Sequence, residues 1–428
     1  VPPPDRRERR FQFGICLVLL GLLATAAARD ALPVNPVSRY ATLEALVEHG
    51  TWSLEPTTLG RRTVDRVVWD GVPYSSKPPL LPALLAPVYA SALLLGMPRL
   101  SEDPYTATAI LRLPFALFPW LLSAVAFGAL LRRLVASRTV RALLFVAWTV
   151  GGYATVWGAT FDNHSFALAS LLGAFVCLLQ PSSEGPSHTV ARRHALGALL
   201  LGLAGAFDLG ALPIAGLVVI VVATRVARTA HAGVALGLLA LFALPIALQA
   251  GLQYAIAGTP RPFYLLPEAY SYPGSYWRAP VEFDSLREPR IVYLVHSLVG
   301  HHGLFSHTPW LLFALGAGPA LRALHPERRW ILGAATLGGL LTIGWYLGTT
   351  YNYGGRCVGM RWWLVLHPWL GLLSALSLAH APSPRRVWLF GVGVGWSACV
   401  ALHGMWSPWE ESLVHVLLRA LGAGSVPG

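Results

Sequence analysis

Lys77 is the only lysine among the 32 basic residues of the chain, and it stands in Tyr74-Ser75-Ser76-Lys77-Pro78-Pro79-Leu80, at the edge of an apolar stretch. The two prolines fix the backbone where a helix can start. A compact ammonium there lies beside the positive end of that helix, and a phosphate is the natural guest of such a place. The competing reading is a lysine that snorkels to a membrane interface and holds nothing. Proton transfer from a hydroxyl needs a carboxylate within reach. Asp65, in Thr63-Val64-Asp65-Arg66, and Asp70 are the acids nearest to Lys77. Asp162 is the third candidate; it opens Asp162-Asn163-His164 at the mouth of an apolar segment, where an acid is costly unless used or paired. Each has a plainer role open to it: helix N-cap for Asp162, ion pair with Arg66 for Asp65. Asp208, in the apolar stretch 204–212, is read as an acid that solvates a tight turn.

The segment 257–308 is rich in aromatic residues, among them Phe263, Tyr264, Tyr270, Tyr272, Tyr276, Trp277 and Tyr293. Flat rings stack on sugar faces, but a membrane-interface belt has the same composition. The belt accounts for most of them; Tyr276 and Trp277, in Pro273-Gly274-Ser275-Tyr276-Trp277, are the candidates for sugar contact. His296, His301, His302 and His307 follow no common zinc spacing. They are read as solvated loop imidazoles, so neither metal nor cofactor is expected.

These residues need elements to hold them. Of the 428 residues 55% are hydrophobic and only 12% charged, about half the charge of a soluble domain. Apolar runs recur near the length that a helix needs to cross a hydrocarbon core. Their Ala, Leu and Gly content suits packed helices rather than alternating barrel strands. The chain is therefore expected to be an all-α polytopic membrane protein with about eleven spans, near 11–29, 105–130, 140–159, 163–180, 195–207, 210–224, 232–256, 309–322, 330–350, 362–380 and 387–406. The first is taken as a retained span rather than a cleaved leader. The segment 78–96 is read as a helix in or dipping into the outer leaflet. Segments 1–10, 131–141, 181–194, 225–231, 322–329 and 382–386 hold 17 arginines against four acids, whereas the remainder has 15 basic residues against 16 acids. That asymmetry is the positive-inside signature, so the net charge of +12 orients the chain and does not recruit nucleic acid. The N-terminus is then cytoplasmic. Residues 1–406 form the membrane domain, with outward loops 30–104 and 257–308 carrying juxtamembrane helices, and 407–428 form an outward tail that includes an amphipathic surface helix. Loops of that length are usually functional. Three of the four cysteines (Cys16, Cys177, Cys399) fall in apolar spans, so no disulfide framework is implied.

The Tyr-Ser-x-Lys-Pro-Pro-Leu segment, late in a first outward loop, resembles the GT-C integral-membrane glycosyltransferases, in particular the aminoarabinose transferase and protein O-mannosyltransferase group. Similar stretches are Ser38-Arg39-Tyr40 through Glu48-His49-Gly50-Thr51, the acid at Asp162, Gly300-His301-His302-Gly303-Leu304-Phe305-Ser306-His307-Thr308-Pro309, and Tyr353-Gly354-Gly355-Arg356-Cys357-Val358-Gly359-Met360-Arg361-Trp362. The resemblance covers most of the chain. It implies a GT-C-like bundle in the cytoplasmic (inner) membrane that takes a sugar from a polyprenyl-phosphate carrier. The sugar would pass to a lipid, protein or polysaccharide acceptor on the outer side. Lys77, Arg356 and Arg361 would hold the lipid phosphate, and Asn35, Arg39, Tyr74 and His302 join Tyr276 and Trp277 as candidates for substrate contact. The family commonly carries an Asp-Glu pair just before the position of Tyr40, whereas this chain has Asn35, Pro36 and Val37 there. An amide cannot act as the base, so Asp65, Asp70 or Asp162 must supply the carboxylate. A lipid or solute transporter, with Asp208 between two short spans, and a lipid-binding homologue without turnover are the alternatives.

Overall fold

The computed structural model describes residues 6–29, 32–180, 187–229 and 232–422. The expected low-complexity stretch 181–187, apart from Ser187, the chain start 1–5 and the end of the tail, 423–428, lie outside the described residues. Among those described, eight helices are long and apolar enough to cross a membrane: Arg6–Ala26, Pro104–Leu134, His188–Phe207, Leu209–Thr229, Ala232–Ala257, Pro326–Thr349, Arg361–His380 and Pro384–Gly404. The protein is thus a polytopic helical membrane protein, as its composition dictates. Three of the eleven expected spans are shorter or broken. Residues 140–159 divide into Arg138–Thr149 and Tyr153–Trp157, the fourth is Asn163–Leu178, and 309–322 is a tight 3-10 turn run followed by Gly318–Ala323. Pro309 and Pro319 explain the last break, since neither can donate a ladder hydrogen bond.

The two spans expected to be short, 195–207 and 210–224, extend instead over Ser187–Phe207 and Leu212–Thr229. Charged residues mark span boundaries in a linear reading, whereas arginines in the end turns of a long helix, Arg192 and Arg193 at the start of the first and Arg225 and Arg228 at the end of the second, reach polar surroundings on flexible stems.

The all-α expectation has one local exception that proves decisive. Val67-Val68-Trp69 and Val72-Pro73-Tyr74 flank Asp70-Gly71, a hairpin signature. They form strands β1 (Arg66–Trp69) and β2 (Val72–Ser75), paired antiparallel. Both turn residues have positive φ, 49° at Asp70 and 79° at Gly71, which is the conformation that Asp-Gly tolerates. The hairpin is tied to helix Val34–Glu48 by the Ser38 hydroxyl, 2.5 Å from the Asp65 carbonyl and 2.7 Å from the Ser75 hydroxyl. On its other face, Val67 joins Ala257, Phe263, Leu266 and Ala269 in a small apolar core separate from that of the bundle. The 78–96 segment is the helix Leu80–Leu94, whose first N–H is capped by Gln249 at 2.9 Å.

Candidate functional site

The hairpin positions the first charged pair. Arg66 faces Ser75 in the register, so Asp65 and Lys77 emerge side by side from its open end. The Lys77 ammonium lies 3.0 Å from Asp65 Oδ2, and the same oxygen accepts from Asn35 Nδ2 at 2.6 Å. Asp65 therefore pairs with Lys77 and not with Arg66, whose guanidinium lies over the Tyr272 ring instead. Arg39, one turn along the helix from Asn35, donates to Asn35 Oδ1 at 2.7 Å and to Asn163 Oδ1. Its Nε has no partner although the side chain is buried. Asn163 in turn donates to the Phe207 carbonyl at 2.8 Å. One network thus runs from the first loop to the ends of two membrane helices.

Arg361 completes the cluster. It is buried, it lies over the Trp409 ring at 4.7 Å, and its Nε and Nη1 have no hydrogen-bond partner. The loop before it curls through Gly354 and Gly355, with φ of 93° and 83°. A Cβ on Gly354 would meet Arg361 Nε at 3.1 Å, so only glycine lets the chain wrap the guanidinium this closely. Three cations, Arg39, Lys77 and Arg361, accordingly face one cavity with Asp65 among them. Burial pushes the Lys77 ammonium down to about 8, with Arg39 and Arg361 adding to the effect and Asp65 opposing it. Burial pushes the Asp65 carboxyl up, but the charges of Lys77, Arg361 and Arg39 outweigh it and hold the group below the ordinary aspartate value. Burial likewise brings Arg39 down to about 10. The pair is charged at neutral pH, and among Arg39, Lys77, Arg361 and Asp65 the surplus is positive. Buried cations with unmet N–H groups are strongly favoured to accept an anion.

The cavity has a volume of about 1210 Å³, enough for a sugar phosphate and the first part of a lipid chain. Tyr264, Tyr270, Tyr276, Trp277, Trp345, Trp362 and Trp409 line it. Tyr276 donates to Asp284 Oδ2 at 3.0 Å, while the Trp277 Nε1 is buried without a partner. Asp284, which the sequence offered no reason to select, also lines the cavity and accepts from Asn352 at 2.6 Å; burial raises its pKa. Asp208 is the clearest correction. It is 4% exposed, contacts His164 Nδ1 at 2.6 Å and caps Gly210 at 3.0 Å, on the cavity wall. It is therefore no solvated turn acid. With the flanking helices longer than expected, the turn between them is covered by Tyr346, whose hydroxyl lies 3.0 Å from where a Cβ on Gly210 would be.

The other residues singled out fall as follows. Asn35, Arg39, Asp65, Lys77, Tyr276, Trp277, Arg356 and Arg361 all line this cavity. Arg356 is already engaged by Glu282 at 3.5 Å, Glu410 at 3.7 Å and Glu411 at 3.3 Å, so its charge is largely met, unlike that of Arg361. Asp70 does not reach the cavity, because it occupies the exposed hairpin tip. Asp162 is fully buried and caps the helix Asn163–Leu178 through Ser165 N at 2.7 Å, one residue away from the lining. Tyr74 stacks on Phe263 at 5.6 Å and belongs to the small hairpin core. His302 stands behind the wall and bonds the Gly355 carbonyl at 3.1 Å. His301, His302 and His307 are not solvated, being 2%, 0% and 0% exposed. The four cysteines are unpaired.

No family model matches the chain, and no curated protein matches it. Solved structures do. ArnT from Cupriavidus metallidurans in the apo state superposes with a TM-score of 0.55 at 16% identity, covering 87% of this chain and 60% of that one. The archaeal oligosaccharyltransferase AglB from Archaeoglobus fulgidus, in complex with an inhibitory peptide and a dolichol-phosphate, gives 0.50 at 11% identity, with 99% of this chain and 57% of that one. The chain thus spans about 60% of the length of these structures. Both are GT-C proteins, so the fold is GT-C-like, as the Lys-Pro-Pro segment and its companions implied.

Proposed function

We propose that the protein is a glycosyltransferase that moves a sugar from a polyprenyl-phosphate carrier to an acceptor on the outer face of the cytoplasmic membrane. The observation that carries this is the group of cations Arg39, Lys77 and Arg361, of which the two buried guanidiniums leave N–H groups unmet, facing an aromatic-lined cavity. A transporter would need no such surplus of unpaired donors around one point, and the paired Asp208 removes the feature that had favoured it. Tyr276 and Trp277 offer the faces on which a sugar ring stacks.

In the reaction the anomeric C–O bond breaks and its electron pair goes to the phosphate oxygen. The acceptor oxygen bonds to the anomeric carbon and gives its proton to a carboxylate. The phosphate passes from a diester with one charge to a monoester with nearly two. Lys77 and Arg361 therefore act where charge grows, which is what accelerates a transfer. As Lys77 turns to the phosphate, Asp65 is relieved of its partner and becomes the proton acceptor. It stands against Asn35, beside the place where the related proteins carry their acids. That proximity supports Asp65 in the role for which the helix itself carries no acid.

The experiment is a transfer assay in detergent with a polyprenyl-phosphate sugar and an envelope lipid extract as acceptor, products read by mass spectrometry. Lys77→Ala is expected to abolish transfer while the protein stays folded. Binding of the carrier without product in the wild type would instead identify a lipid-binding homologue, and uptake without product by sealed vesicles reconstituted with the protein a transporter.

A further inference from the structure

We propose that His301, His302 and His415 form a structural site for one divalent transition metal ion of the zinc class, which pins the C-terminal helix to the wall of the cavity. Two of the rings are neighbours in the chain and the third comes from 113 residues further on, and one donor nitrogen of each lies within 4.8 Å of the other two. All are at most 2% exposed. Phe283 covers the group, with its ring 5.2, 4.9 and 5.2 Å from those of His301, His302 and His415.

Carbonyl partners around the cluster assign the protons of His307 and His302. His307 Nδ1 lies 2.8 Å from the Gly303 carbonyl, which only accepts, so His307 carries its proton there and its Nε2 is an acceptor. Ser412 Oγ, 2.9 Å from that Nε2, must donate to it. His415 Nδ1 lies 2.8 Å from the same oxygen and also 3.3 Å from the Ser412 backbone N–H. His415 Nε2 is buried with no partner. His302 is fixed in the same way: Nε2 donates to the Gly355 carbonyl at 3.1 Å, and Nδ1 is bare. A ring whose outer N–H is held by a carbonyl or hydroxyl, with its inner nitrogen unprotonated, is the usual arrangement of a metal-ligating histidine.

His301 Nδ1 lies 2.6 Å from His302 Nδ1. Tetrahedral zinc places its nitrogen ligands roughly 3.3 Å apart, so a small rotation of His301 admits the ion. Its proton then moves from Nδ1 to Nε2 with no net proton released. All three imidazoles are shielded from water. Three neutral ligands leave a fourth position for water. The sequence hid this site because its third ligand is 113 residues beyond His302. The site shares its wall with the cavity, since Phe283 and Gly355 line the cavity from the other side.

The test uses the full chain in detergent, without a polyhistidine tag, stripped by a strong chelator and then titrated with zinc. One equivalent is expected to bind, with the melting temperature rising by roughly 5 °C. His415→Ala is expected to lose the metal and to melt at the same temperature with and without chelator. His415→Cys keeps a ligand at that position, so it is expected to retain one equivalent. With cobalt(II), it is expected to add a sulfur-to-metal charge-transfer band absent from the wild type. Binding below about 0.2 equivalents in the wild type overturns the proposal. So does full binding by His415→Ala, or a His415→Cys protein that binds cobalt without the new band.

Discussion

Removing Lys77 acts on two things at once, and the structure separates them. In the resting protein the ammonium is 3.0 Å from Asp65 Oδ2, with the Lys77 side chain 16% and the Asp65 side chain 10% exposed. Breaking a buried pair by deleting one partner costs about 3–5 kcal/mol. Asn35 still donates to the same oxygen at 2.6 Å, and Arg39 and Arg361 remain nearby, so Lys77→Ala belongs at the low end, about 3 kcal/mol. In the reaction the loss is different. One donor aimed at developing charge is worth about 2.7–4 kcal/mol, or a rate factor of about 10²–10³. The double variant Lys77→Ala/Asp65→Asn removes the orphaned carboxylate and should regain most of the stability without any of the transfer rate. Thermal unfolding in detergent measures the first, and initial rates of transfer at saturating acceptor measure the second. If Lys77→Ala transfers within about threefold of the wild type, Lys77 serves only to hold Asp65 and the phosphate assignment falls; a double variant that recovers rate together with stability would remove Asp65 as the proton acceptor as well.

Four further outcomes follow. The ammonium form of Lys77 predominates below about 8 and is lost as pH rises through that value, so kcat/KM for the donor should be level from pH 6.5 to 7.5 and fall above 8; a profile still level at pH 9.5 contradicts the assignment. Stability runs the other way, because the unfolded lysine keeps its proton to about 10.4, and the protein should firm slightly between pH 8 and 10. Arg361→Lys removes the planar group that lies on Trp409 and should raise the donor KM by roughly tenfold with little change in melting, since lysine does not reproduce a stacked fork. Asp208→Ala leaves His164 buried without its partner and should destabilise by about 2–3 kcal/mol, read by thermal unfolding.

Much of the membrane domain was legible because apolar length is a strong and local signal. Its boundaries were not, since arginines inside long helices, such as Arg192 and Arg225, look like loop residues in a linear reading. Lys77 could be selected from residue type and neighbours, whereas Arg361 and Arg39 came only with the resemblance to the GT-C proteins. Their convergence could not, because it depends on the hairpin that carries Asp65 to Lys77. Val-Val-Trp-Asp-Gly-Val-Pro-Tyr announces that hairpin, and the same letters explain why Asp70 is an exposed turn residue. Asp208 and Asp284 owe their places to tertiary contacts with no sequence mark. His415 was assigned to a surface helix by its amphipathic pattern; the helix Leu413–Ala420 does expose one face, but it buries Val414 and His415 on the other.

The small apolar core of the hairpin has a consequence for how the site exchanges its contents. Val67 packs with Ala257, Phe263, Leu266 and Ala269, and Trp69 Nε1 donates to the Ala257 carbonyl at 2.9 Å. The two longest connections of the chain are thus fastened to each other and form one roof over the cavity. Such a roof lifts as a unit or not at all, so amides in 66–75 and 263–270 should exchange with solvent in concert and more slowly than loop amides usually do. Extra residues at the Asp70-Gly71 tip would be absorbed, whereas a polar side chain at Phe263 would loosen both loops together.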